Sequence, residues 1–221
     1  MGYFPFFVEL EGKRGVIVGG GNVAARKVEK LLMFGTELTV VAPDIEACVR
    51  ILQGELPETD AAASLHFEER DFRAEDLQDA DFVIAATDDE TLNGRIADVC
   101  REKRIPVNVV DDREKCTFFF PALVKDGPLT VGISTDGKSP FAASWLRREI
   151  AKMLPESIGE AIDLLGQIRP AVMALEEEED ARKKLFERLF IHCMECLDRG
   201  QEITEKELIV LVEAWRHKEN E

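Results

Sequence analysis

The chain has no apolar run long enough to cross a bilayer, which takes about 20 residues in helical form. Its opening, Met1-Gly2-Tyr3-Phe4-Pro5, lacks the basic and apolar segments of a signal peptide. Of its five cysteines only Cys193 and Cys196 lie close together, so there is no disulfide framework and no second Cys-x-x-Cys pair to complete a zinc pattern. His192-Cys193-Met194-Glu195-Cys196 therefore reads as core thiols on an amphipathic helix, and His66, with no metal-spaced Cys, Asp or Glu around it, as an ordinary strand residue. Basic residues are in deficit as well. Lys and Arg number 28 against 44 Asp and Glu, a formal net charge of −16, which argues against nucleic acid or an anionic membrane as a general partner because both would be repelled at long range. These absences point to a reduced, soluble, cytoplasmic protein.

What charge of positive sign there is concentrates in the middle. Residues 101–152 carry ten Lys and Arg against seven Asp and Glu. This island is either a solvated surface or the seat of an anion. The 221 residues suffice for one sizeable core plus a smaller unit.

The most informative stretch runs from Lys13 to Lys27. Gly15-Val16-Ile17-Val18 is a buried strand by composition, three glycines follow, and the next residues have helical spacing. Gly19-x-Gly21-x-x-Ala24 fits the dinucleotide fingerprint in its G-x-G-x-x-A form. In that reading Gly19 allows the sharp turn, Gly21 lets backbone approach a pyrophosphate, Ala24 permits close helix-strand packing, and the helix N-terminus faces the negative charge. The alternative is a glycine turn that serves folding alone.

Around it the pattern is alternating. Phe4–Leu10 reads as a short strand forming a hairpin through Glu11-Gly12 into the fingerprint strand. Val23–Phe34 is a helix closed by Gly35, and Leu38–Val41 a second strand. Asp44, about twenty residues past the glycines, is the candidate for the adenosine ribose, with the N-cap of the next helix as its other reading. No arginine adjoins it to receive a 2′-phosphate, which favours NAD over NADP. Residues 54–63 read as a loop, Leu65–Phe67 as a third strand and Phe82–Ala86 as a fourth. Thr87 and Asp88 fall at the strand's ligand edge, and Asp88 or Asp89 caps the helix Glu90–Lys103. Ile105–Val110 is the fifth strand, followed by Asp111-Asp112. Thr117–Pro121 and Leu129–Ser134 read as further strands, Phe141–Leu154 as a helix. Past Pro155 the chain turns helical, with Glu176–Asp180 a solvated break, a helix near 181–197 and a capping box at Thr204-Glu205-Lys206-Glu207 opening the last helix, Glu205–Arg216.

Five motifs in order then carry a resemblance: the opening Phe-Pro-Phe-Phe-Val-Glu-Leu, Val18–Lys27, Ala85–Asp89, Val107–Asp111 and Ser134–Pro140. Over residues 3 to 165 the chain resembles the precorrin-2 dehydrogenase module of siroheme synthases. The resemblance implies NAD-dependent oxidation of precorrin-2 to sirohydrochlorin, on the route to sirohaem and in some organisms cobalamin, with iron insertion in some members. It implies Asp111 as the residue serving both activities, including a transient metal contact in a chelatase, and NAD contacts at Asn22, Val23, Pro43 and Asp44. Asn108, Ser134, Thr135 and Lys138, inside the matching motifs, are candidates for substrate contact. The Ser134–Pro140 motif departs from the commoner Ser-Ser-Gly-Gly form at Thr135 and Asp136. A homodimer is implied, built on the middle segment.

The chemistry agrees with this. Aromatising a reduced tetrapyrrole needs a hydride acceptor and a proton acceptor, NAD for the first and a carboxylate for the second. Sequence alone does not separate Asp111 from Asp112; the resemblance selects Asp111. Arg113, Lys115, Lys125, Lys138, Arg147 and Arg148 supply charge for a polyanionic substrate. The expected architecture is α/β, a Rossmann-type parallel sheet (1–112), a dimerisation and substrate segment (113–152) and a helical C-terminal region (153–221), with no room for the methyltransferase domain of larger synthases. Two other functions fit the same scaffold: another NAD-linked reductase, and a non-catalytic NAD-sensing dimeric regulator.

Overall fold

The computed structural model describes residues 3–54 and 63–219. The chain forms two compact units, Phe6–Phe120 and Pro121–Glu221 with the opening residues. Most of the predicted 54–63 loop lies outside the described residues.

The first unit is a five-stranded parallel sheet in the order β3-β2-β1-β4-β5, with β1 Arg14–Val18, β2 Glu37–Ala42, β3 Ser64–Glu69, β4 Phe82–Ala85 and β5 Val107–Val109. Helices α1 Asn22–Leu32, α2 Ala47–Gly54 and α3 Glu90–Lys103 connect the strands. Strands buried on both faces must be apolar throughout, and β1 and β4 are: Val16, Ile17, Val18 and all four residues of β4 are buried. Their side chains divide into two cores, one with Ile17, Ile84, Ala24, Val28 and Leu31, the other with Val16, Val18, Val83, Ile96 and Cys100. The chain passes from β3 to β4 through a 3-10 turn, Ala74–Leu77. Among the described residues no helix therefore covers the β2–β3 side of that second face, and an open cleft of about 540 Å³ lies there, lined by Arg14, Thr39, His66, Glu68 and Asp76.

Two sequence expectations fail here, each for its own reason. Phe4–Leu10 is not a strand: residues 3–10 have no regular structure and Phe4, Phe6, Phe7 and Val8 are exposed. β1 already pairs with β2 and β4, so it has no edge to offer a hairpin. Nor is Thr117–Pro121 a strand. Side chains pin this segment to β5 instead. Val107 N donates to Thr117 Oγ1 at 2.8 Å, Val109 N to Cys116 Sγ at 3.1 Å and the Asn108 amide to the Phe118 carbonyl at 3.0 Å.

The second unit opens on an antiparallel hairpin, β6 Ala122–Asp126 and β7 Leu129–Ile133. β6 was not expected from sequence. Its turn is Gly127-Pro128 with Gly127 at φ +49°, the positive φ that a tight hairpin asks of its first central residue. Helices α4 Pro140–Met153, α5 Ile158–Leu175, α6 Glu179–Asp198 and α7 Glu205–Glu219 follow. Ile168, Val172, Leu185, Leu189, Cys193, Leu208 and Val212 close a core shared by α5, α6 and α7. The acidic break is more than a solvated run. Glu178 caps α6 by accepting from Asp180 and Ala181 N–H, and Glu176 holds Arg216 of α7 at 3.0 Å. Among the described residues no helix is long and apolar enough to cross a membrane.

Candidate active site

Parallel strands put all their carboxyl ends on one edge, and the register aligns those ends. Val18 pairs with Val41 and Ala85, and Ala85 with Val109. Gly19–Gly21, Pro43-Asp44, Thr87-Asp88 and Asp111 consequently leave the sheet at about the same level. The strand order reverses between β1 and β4, the crevice where open α/β sheets take their ligands.

The three glycines do different work. Gly19 has φ +122°, and a Cβ there would lie 2.3 Å from the Ala86 carbonyl oxygen; at Gly20 it would lie 2.2 Å from the Asp44 carbonyl. Both are demanded by the protein's own backbone. Gly21 is the N-cap of α1 at φ −94°, and a Cβ there would meet only the Glu46 carboxylate, 3.2 Å away. No side chain caps α1 and no acidic residue stands in its first turn. By contrast, Asp89 caps α3 and Ser139 caps α4. Open backbone at Gly21 and free first-turn amides, including those of Asn22 and Val23, fit a dinucleotide pyrophosphate.

After β2 the structure separates the two readings of Asp44. α2 starts at Ala47, so Asp44 is not its cap, and its exposed side chain lies past the end of β2 beside exposed Pro43. The acid that reaches the glycine turn is Glu46, unrecognised in the sequence: it accepts from Asn22 Nδ2 at 3.3 Å, and its N–H donates to the Gly20 carbonyl at 2.9 Å. Its greater distance from the glycines hid it. After β4, Asp89 and not Asp88 caps the helix, accepting from Thr91 and Leu92 N–H at 2.8 and 3.1 Å. Asp88 is exposed, while the Thr87 hydroxyl bonds buried Asn93 at 2.7 Å.

After β5 the adjacent carboxylates part company. Asp112 caps a 3-10 turn, Arg113–Lys115, accepting from Lys115 N and pairing with its Nζ at 2.6 Å. This hydrogen bond with Lys115 holds the Asp112 carboxyl below the usual range. Asp111 is exposed, at φ +60°. Left-handed backbone costs a non-glycine residue about 1–2 kcal/mol, less for aspartate than for most. Asn108 is 7% exposed, and its amide is engaged with Phe118 and Cys116; it shapes the segment beside Asp111 from below.

Ser134, Thr135 and Lys138 belong to the second unit. There Thr135 Oγ1 donates to the Ser139 carbonyl at 2.9 Å, exposed Ser134 accepts from Asp136 N, and Lys138 lies 3.9 Å from Asp136. Of the basic island, Lys115 is paired with Asp112 and Arg113 stacks on Phe119 at 5.2 Å; Arg147 and Arg148 are exposed on α4. His192 lies 3.7 Å from the Cys196 sulfur and edge-on to Trp215. Among the described residues no group of three metal-ligating side chains assembles. The cleft on the sheet face is a separate feature, running along β1, β2 and β3 under the 3-10 turn rather than at the glycine edge.

Sheet order, glycine turn and uncapped α1 define a dinucleotide-binding α/β protein of the Rossmann type. Residues 6–122 match the family described as putative NAD(P)-binding, and residues 126–153 that described as sirohaem biosynthesis protein central. The first match spans more than half of the chain, which belongs to the family described as putative NAD(P)-binding. It is 34% identical over 207 residues to a siroheme synthase of Neisseria meningitidis serogroup C, covering 94% of this chain and 42% of that one. With a siroheme synthase of Nitrosospira multiformis it shares 37% over 189 residues, 86% of this chain and 39% of the other. The chain thus spans about two fifths of the curated relatives it matches. In fold it is similar to the solved structure of SirC, precorrin-2 dehydrogenase, with TM-score 0.75 and 22% identity over 96% of this chain and 100% of that one.

Proposed function

We propose that this protein oxidises precorrin-2 to sirohydrochlorin with NAD, on the route to sirohaem. The observation that carries the reading is Asp111: an exposed carboxylate in left-handed backbone, on the same sheet edge as the glycine turn. When bound, NAD supplies the hydride acceptor. Gly21, Asn22 and Val23 hold its pyrophosphate, Pro43 and Asp44 lie by its adenosine, and Gly19, Thr87 and Asp88 shape the crevice. The oxidation removes a hydride and a proton from the reduced macrocycle, and Asp111 takes the proton. Asn108 supports the segment that carries Asp111, and Ser134, Thr135 and Lys138 are the second unit's own candidates for substrate contact. The same carboxylate would receive pyrrole protons if iron is inserted.

The protein works in the cytoplasm as a homodimer. Support comes from α4, where Phe141, Trp145 and Met153 are 75%, 48% and 80% exposed, an apolar surface of the kind that a second subunit covers. The division into 1–112, 113–152 and 153–221 assigns this helix, all but its last residue Met153, to the dimerisation segment.

Anaerobic incubation with enzymatically made precorrin-2 and NAD tests the reading: NADH and sirohydrochlorin are expected. No NADH would overturn it in favour of an NAD-sensing regulator. Ferrous ion added afterwards reads chelation, identified by metallation above the protein-free rate.

Cofactor choice is a further expected result. Asp44 and Glu46 stand after β2, and Arg50, the cation nearby, is paired with Glu69 at 2.7 Å. A 2′-phosphate would face carboxylates, so NAD is expected to bind at least about tenfold tighter than NADP. Glu46→Gln narrows that ratio, measured by calorimetric titration of both dinucleotides; a ratio near one in the wild type sinks the assignment.

A further inference from the structure

Lys27 lies on α1, one turn past Asn22 and Val23, half-buried against the segment that follows β5. Its Nζ sits 3.8 Å from the centroid of the Phe120 ring. That ring lies 5.6 Å from Phe118, whose carbonyl accepts the Asn108 amide. The network that pins the segment to β5 therefore also sets where the ammonium rests. The titratable and charged groups facing it are Cys116 and Asp111 from this segment, and Arg26 and Lys30 from its own helix. Among the described residues no carboxylate forms an ion pair with Nζ.

A half-buried ammonium beside two like charges is costly to keep. Methionine would fill the same space against Phe120 without that cost. A cation held without an ion pair beside the segment that follows β5, within electrostatic reach of the exposed Asp111 carboxylate, is a feature of anion recognition. We propose that Lys27 anchors the substrate, its ammonium pairing with a peripheral carboxylate of a polycarboxylate tetrapyrrole while the macrocycle lies beside Asp111. This rests on the function proposed above and adds to it a binding residue outside the basic island.

Burial first, and then the charge of Lys30, brings the Lys27 pKa down to about 8. In the ligand-free protein its charge is present below that pH and lost above it. Affinity for an anion should fall as pH rises through about 8. A guanidinium keeps its proton there, so Lys27→Arg should abolish the fall.

The test compares wild type, Lys27→Met and Lys27→Arg from about pH 6 to about pH 10. Steady-state oxidation of precorrin-2 is one readout and fluorescence titration with uroporphyrin III, a stable polycarboxylate, is the other. Lys27→Met is expected to raise KM for the tetrapyrrole and the uroporphyrin Kd roughly tenfold near neutral pH, with kcat at saturation much less affected. It should also remove the alkaline fall. Lys27→Arg should bind well across the range. Because methionine relieves a desolvated charge, thermal melts of Lys27→Met should show no loss of fold. Unchanged KM, Kd and pH profile in Lys27→Met would overturn the proposal, as would a loss that appears in KM for NAD alone. If the wild type forms no NADH, the proposed function fails, and the uroporphyrin titration still decides the role of Lys27.

Discussion

Asp111→Asn is expected to lower kcat/KM for NADH formation from precorrin-2 by about 10²- to 10⁴-fold, the span general acid-base groups usually contribute, without loss of folded protein. Asparagine keeps the size of the side chain and tolerates the φ of +60° as well as aspartate does, so what changes is the ability to take a proton. Asp111→Gly separates chemistry from conformation more sharply. It releases a left-handed cost of about 1 kcal/mol, so its melting temperature should rise while its activity stays lost. Asp112→Asn is the control. Its carboxylate holds Lys115 and caps the 3-10 turn, and exposed pairs of this kind contribute little, so turnover near wild type is expected. Wild-type rates from Asp111→Asn, or a dead Asp112→Asn with live Asp111→Asn, would reverse the assignment of the two carboxylates.

That reversal is worth guarding against because the sequence does not distinguish the neighbours. Composition reports which residues follow a strand; it does not report which of two carboxylates the chain bends back into a turn. The strands and helices of the sheet were legible because their apolar periods are long and unmixed: β1, β2, β4 and α3 lie within a residue or two of where Val16–Val18, Leu38–Val41, Phe82–Ala86 and Glu90–Lys103 put them. The arm at Phe4–Leu10 misled because β-forming composition describes a segment while pairing requires a free edge; the run at Thr117–Pro121 misled although β5 is an edge strand. β1 had no such edge, and the second segment is tied to β5 by the side chains of Asn108, Cys116 and Thr117. Glu46 and Lys27 were illegible for a related reason. Each joins the site through a partner distant in sequence, Gly21 for Glu46 and Phe120 for Lys27, and no spacing rule encodes such pairs.

The glycine turn allows a prediction opposite to the one its fingerprint suggests. Gly19 and Gly21 are alike as motif letters, yet Gly19→Ala is expected to abolish the fold and Gly21→Ala to leave it intact. At Gly19 the added Cβ would meet the Ala86 carbonyl oxygen at 2.3 Å with φ at +122°, and that carbonyl belongs to rigid backbone just past β4, whose neighbour Ala86 N–H is bonded to Val18 at 2.8 Å. Relief requires parting β1 from β4, the centre of the sheet, in a protein whose whole stability is of order 5–15 kcal/mol. At Gly21 the φ of −94° suits any residue, and the Glu46 carboxylate, the end of a flexible exposed side chain, can swing aside. Gly21→Ala should therefore melt within about 3 °C of wild type, as conservative exposed substitutions do. Its methyl group would nevertheless stand where a pyrophosphate must meet the backbone, so its NAD affinity should fall at least about tenfold. Melts followed by circular dichroism and calorimetric NAD titrations read the two effects independently. A folded Gly21→Ala protein that binds NAD like the wild type would mean that this turn does not cradle the dinucleotide, and Gly19 would then be a folding residue alone.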